Sequence, residues 1–219
     1  MKSVKDKIRN MIMRKEAGYA FSNKDFLRDF QRYEVDVALT MLVKEGIIRR
    51  IIQGIYERPR WNELLDEPVA PDIYSIASAL ARKFSWRIHP SGNTALNYLG
   101  LSTQIPGHII YHSDGPSRKY QIGNRSLEFK HTSLHELVFR LQESTLVVQA
   151  LKALGRRNVD GTVIHTLQTR YSPSNWVKIA ADTCNTSGWI HEIIREISKQ
   201  EEKHAENHQP QSTAKMVCI

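Results

Sequence analysis

The stretch RYEVDVALTMLVKEG, followed at once by IIRRIIQGIYERP, restricts the fold more than any other part of this sequence. Val35, Ala38, Leu39, Leu42 and Val43 stand at i, i+3, i+4, i+7 and i+8, the stripe of a helix that buries one face. Gly46 can take the left-handed conformation that closes such a helix. Two β-branched and aromatic runs come next, and Gly54 between them supplies the positive φ that a tight hairpin turn needs. The pattern is therefore a helix running directly into a β-hairpin.

The residues before it add two more helices. Val4, Ile8 and Ile12, with Met11 beside them, predict an amphipathic first helix ending near KEAG. Ser22, with Asp25 three residues later, approximates a capping box and opens a short second helix. Phe26, Leu27 and Phe30 are expected to face the core from it. Three helices and a hairpin predict a winged helix-turn-helix over residues 1–60.

Charge bears on what such a domain would touch. The chain of 219 residues carries a net charge of +8. Residues 1–60 hold 14 Lys/Arg against 8 Asp/Glu, so most of the excess sits there. An anionic partner is the natural expectation, and for this fold that partner is double-stranded DNA. The helix lying in the major groove would present Arg32, Tyr33, Asp36, Val37 and Thr40, which stand opposite its apolar stripe. Asp36 can accept from cytosine N4, whereas Glu34 fits better as a charge favouring the helix dipole. Lys24, Arg28, Lys44, Arg49 and Arg50 are expected at phosphates, which position a protein without specifying sequence.

Beyond the hairpin, RPRWNELLDEPVAP is interrupted by Pro59, Pro68 and Pro71 and marks a boundary, with a linker expected over residues 61–71. A second, mixed α+β domain is expected over 72–199. Ile73, Ile76, Ala77, Leu80 and Ala81 have helical spacing, SWRIH suits a strand, and Ser91 is a candidate cap for a helix through Ala95, Leu96 and Leu99. GHIIYHSDGPSRKYQIGNRSLEFKHTS reads as three strands separated by turns. HELVFRL, STLVVQALKAL, GTVIHTLQTR, SNWVKIAADT and SGWIHEIIREISK complete a helical C-terminal part. Residues 200–219 are polar without apolar period and are expected to be disordered.

Catalytic chemistry finds little support. His131 and His135 have the spacing of two helical metal ligands, but Thr132 occupies the place where a zinc protease needs glutamate. Ser91 lacks the flanking glycines of a nucleophile elbow, and GPSRKYQIG lacks a phosphate-loop ending. The expectation is no enzyme, no metal and no cofactor. No apolar run suits a membrane span, the charged start does not read as a secretory signal, and Cys184 and Cys218 have no ligand-like spacing. A cytoplasmic protein follows as the expectation.

Two segments together resemble a known family. VALTMLVKEGIIRRIIQGIYERP, followed after the linker by IHPSGNTALNYLGLSTQIPGHIIYHSDG, is similar to the AbiEi-type antitoxins of prokaryotic type IV toxin–antitoxin systems, over roughly residues 1–198. The resemblance implies a winged helix that binds inverted repeats in its own promoter. It also implies a C-terminal domain that counters a nucleotidyltransferase-type toxin, without requiring a stable toxin–antitoxin complex. Two other classes stay open: a stand-alone winged-helix regulator whose second domain senses a ligand, and a nucleic-acid enzyme targeted by its winged helix.

Overall fold

The structure, a computed structural model, describes residues 3–104, 107–132 and 139–207, with side chains described to Lys199. It is a mixed α+β protein whose chain divides into two compact units. The first comprises residues 1–89 and 106–136, and the second residues 90–105 and 137–219.

The first unit begins with α1 (Val4–Met13), β1 (Ala20–Phe21), a 3-10 turn (Asn23–Phe26), α2 (Arg32–Lys44) and a hairpin of β2 (Arg49–Ile52) and β3 (Ile55–Glu57). Local chemistry sets each boundary. The Asp6 N–H donates to the Ser3 hydroxyl at 3.2 Å to open α1, and the Glu34 carboxylate accepts from the Gln31 N–H at 3.2 Å to open α2. Gly46, at φ 71°, closes α2, and Gly54, at φ 72°, turns the hairpin. The hairpin takes in β1 as a third antiparallel strand, in the order β1-β3-β2. Ile8, Ile12, Phe21, Phe26, Val35, Leu39, Leu42 and Ile48 form the core beneath these elements.

One expectation fails here. The second helix is only a 3-10 turn, too short to offer a full buried stripe, so Phe26 is buried while Leu27 is 39% exposed.

The segment expected to be a linker has structure of its own. β4 (Trp61–Asn62) and β5 (Glu67–Pro68) pair as a small antiparallel ladder, and the Asn62 side-chain carbonyl accepts from the Leu64 N–H at 3.0 Å. Asp72 then caps α3 (Ile73–Phe84) by accepting from the Tyr74 and Ser75 N–H groups. This helix does not open a separate domain. Ile73, Ile76, Ala77 and Leu80 share one core with Ala20 and Ile55 from the first sheet and with Ile109, Leu127 and Phe129 from a second sheet. The Ser75 hydroxyl accepts from the Ala20 N–H at 2.8 Å, and Arg82 reaches both the Ala20 carbonyl and Asp25 at 2.8 Å. The boundary expected at 61–71 thus falls inside the first unit.

The second sheet holds β6 (Ile88–Pro90), β7 (His108–Ser113), β8 (Arg118–Ile122) and β9 (Arg125–His131) in the order β6-β7-β9-β8. β9 pairs in parallel with β7 and antiparallel with β8.

The second unit is helical: α4 (Gly92–Tyr98), α5 (Gln142–Leu154), α6 (Gly161–Gln168), α7 (Pro173–Asp182) and α8 (Gly188–Asn207). Ala95, Leu99, Val147, Leu151, Leu167, Trp176, Ile190 and Ile194 make its core. Gly92 is required where α4 meets α5, since a Cβ there would lie 2.5 Å from that of Ala153. Ser91 occupies the cap position of α4, but its hydroxyl meets that of Thr94 at 3.1 Å rather than a backbone N–H. The Asp182 carboxylate accepts from the Arg140 and Leu141 N–H groups and steadies the entry to α5. Although burial acts to raise its pKa, these bonds hold it below the ordinary value.

Helix α8 continues to Asn207, so residues 200–207 are helical where disorder was expected, and the rest of the expected tail lies outside the described residues. Most of HELVFRL lies outside them too. Among the described residues, no helix is long and apolar enough to cross a membrane.

Candidate nucleic-acid interface

Helix α2 buries Val35, Ala38, Leu39 and Leu42, which turns its opposite face outward. On that face Tyr33 is 78% exposed, Arg32, Asp36 and Thr40 are exposed, and Val37 is half-buried. Asp36 is held from two sides: the Asn23 amide donates to it at 2.8 Å, and the Arg32 Nε lies 3.7 Å away. Asn23 therefore orients a face residue from the preceding turn, a role that no spacing in the sequence signals. The Thr40 hydroxyl donates to the Asp36 carbonyl at 2.7 Å, and its side chain is exposed. Glu34 accepts from the Gln31 N–H, so its charge serves the start of the helix, as expected.

The five basic residues expected at phosphates do not form one set. Arg28 and Lys44 are exposed and have no salt bridge to any described residue. Arg28 lines a shallow open depression at the start of α2 together with Arg32 and the acidic Asp29 and Glu34. Lys24 is committed to the end of α3, where its ammonium donates to the Lys83 carbonyl at 3.2 Å and to the Ser85 hydroxyl at 2.9 Å.

The two adjacent arginines separate completely. Successive strand residues point to opposite faces of a hairpin. Arg50, paired across the ladder with Tyr56, is exposed. Arg49, paired with Glu57, turns inward: its Nε donates to the Glu57 carboxylate at 2.7 Å and its Nη2 to the Val69 carbonyl at 2.6 Å. Glu57 is only 1% exposed. Burial pushes its carboxyl above the ordinary value, and the pull of Arg49 only partly offsets this.

His131 ends strand β9 with its Nδ1 3.0 Å from the Gly115 carbonyl, and His135 lies outside the described residues. Among the described residues, no cluster of three or more His, Cys, Asp or Glu side chains could hold a metal ion.

A search of curated proteins returned no match. Residues 7–173 match a family described as "Family of unknown function (DUF6088)", and the chain belongs to it.

Proposed function

We propose that residues 1–60 are a winged helix-turn-helix that binds double-stranded DNA, with α2 in the major groove and the β2–β3 hairpin as the wing. We further propose that the chain is a type IV antitoxin acting in the cytoplasm. It would repress its own operon through this domain and counter a nucleotidyltransferase-type toxin through the rest of the chain, without needing a stable complex with it.

The observation that carries the DNA-binding part is the outward face of α2. Arg32, Tyr33 and Thr40 are exposed along one side of a helix whose other side is buried, with Arg28 just before it and Arg50 on the hairpin. Arg32, Tyr33, Asp36, Val37 and Thr40 are the readers in this proposal, and Arg28, Lys44 and Arg50 bind phosphates. Arg49 leaves the set because both ends of its guanidinium are engaged within the fold. The antitoxin part rests on the resemblance of the two sequence segments alone.

A footprint on the DNA upstream of its own gene should reveal protected inverted repeats. Tyr33→Ala or Thr40→Ala should change the preferred base at one position, at a cost of about 1–3 kcal/mol there. Selection on randomised duplexes that returns the parent's motif for both variants would remove α2 as the reader. Co-expression with a neighbouring nucleotidyltransferase gene tests the antitoxin part, which fails if growth is not restored.

A further inference from the structure

Arg50 does not stand alone on the hairpin. Lys83, from the last turn of α3, lays its ammonium on the hairpin turn and donates to the Gln53 carbonyl at 3.2 Å. Gly54 makes that approach possible, since a Cβ there would fall 2.5 Å from the Lys83 Nζ. The same ammonium lies 5.4 Å from the centre of the Phe84 ring. Arg118, exposed at the start of β8, lies over that ring at 4.7 Å and over Trp86 at 5.4 Å. Phe84 and Trp86 stack at 4.6 Å, and Trp86 is wedged against Gly115 and the edge of Phe129. Two stacked rings thus carry two cations, and one of these rests on the turn of the hairpin that bears the outward Arg50.

These charges form no salt bridge with any described acid. The acids of this unit that form ion pairs do so elsewhere: Glu45 with Lys5, Asp36 with Arg32, Asp25 with Arg82, Glu57 with Arg49 and Asp114 with Arg87, while Glu128 lies against His108. None of the ion pairs among the described residues involves Arg50, Lys83 or Arg118. Burial, and then the charges of Arg50 and Arg118, hold the Lys83 ammonium below the ordinary lysine pKa, as expected for like charges kept close. Surface cations with nothing to bind would ordinarily spread into solvent. Here Lys83 is anchored to a carbonyl and Arg118 to two rings, so the cluster persists.

We propose that Arg50, Lys83 and Arg118 form one phosphate-binding ridge that extends the hairpin's grip on duplex DNA onto α3 and β8. The ridge rests on the DNA-binding reading above and adds two cations to it from outside residues 1–60. A duplex backbone is the partner that fits, because it offers a row of phosphates. Single-stranded bases fit less well, since Arg118 already covers the ring faces on which they would stack.

The test is the salt dependence of binding by the full chain to a labelled duplex from upstream of its own gene, and to a random duplex. The Lys83→Gln/Arg118→Gln double variant should lose affinity for both duplexes by a similar factor. Its log–log salt slope should shrink by about 0.9 for each phosphate that is no longer neutralised. Lys83→Arg/Arg118→Lys, which keeps both charges, should retain the parent's slope, and so should Arg195→Gln, an exposed position on α8 of the second unit. A slope unchanged in the Gln double variant overturns the ridge while leaving α2 as the reader. Equal loss in the charge-keeping pair or in Arg195→Gln also overturns it, by tracing the effect to structure or to net charge. A parent that binds neither duplex overturns both readings.

Discussion

Arg49 and Arg50 are adjacent in the chain and have opposite fates, because a strand alternates its faces. The half-buried Arg49 is paired with the buried Glu57, and that pair gives two measurable consequences. Arg49→Ala leaves a buried carboxylate unpaired and should destabilise the fold by about 3 kcal/mol, with little effect on the salt slope of DNA binding. Adding Glu57→Gln should recover part of that loss, and equal melting of the single and double variants would sink the pairing argument. Glu57 also predicts a pH effect. Its carboxyl is raised above the ordinary 4.5 in the fold, so the folded state holds this proton more tightly than the unfolded chain does. The parent should therefore lose stability relative to Glu57→Gln as pH climbs from below 4.5 through the raised value. Denaturant unfolding of both proteins across that range checks the sign.

Among the elements, the helices with a full apolar stripe are where the sequence expects them. α3 buries every residue that its spacing marks, α1 and α2 bury most of theirs while Val4, Met11 and Val43 stay half-buried, and Gly46 and Gly54 adopt the positive φ expected of them. Packing between elements is less visible in a string of letters. Gly92 looks like a turn residue in PSGNT, yet it lets α4 approach Ala153 on α5. Gly92→Ala should push the two helices apart and cost about 1–3 kcal/mol. Ala153→Gly in the same chain should relieve the clash, so the pair should show a coupling energy in a double-mutant cycle. Strictly additive effects would mean that α4 and α5 do not meet at this point.

For the whole molecule, the division into units matters most for how the chain can be cut. A fragment ending at Pro71 would strip α3 from Ala20 and Ile55 and remove the bonds from Ser75 and Arg82. A fragment of residues 1–136 keeps all of these partners, because the first unit draws on both of its segments. The longer fragment should unfold cooperatively near the temperature of the full chain, and the shorter one well below it or without a sharp transition. Melting curves for the two decide the matter. If residues 1–71 melt as sharply and as high as residues 1–136, α3 contributes nothing to that half of the fold.

Local physics was legible from the letters: periodicity marked the helices, glycine marked the turns, and charge marked the first sixty residues as basic. Strand alternation was available in the letters as well, yet both Arg49 and Arg50 were expected at phosphates, and only the ladder and the buried partner Glu57 separated them. Other features depend on residues far apart in the chain. The parallel pairing of β7 with β9, and the commitment of Lys24 to the end of α3, follow from no local pattern. The same holds for Lys83 resting on the hairpin turn and for Arg118 over Phe84 and Trp86. Periodicity records which face of an element is buried, but not which element buries it. That choice is made when the faces pack, and here it joined α3 to the strands that precede it.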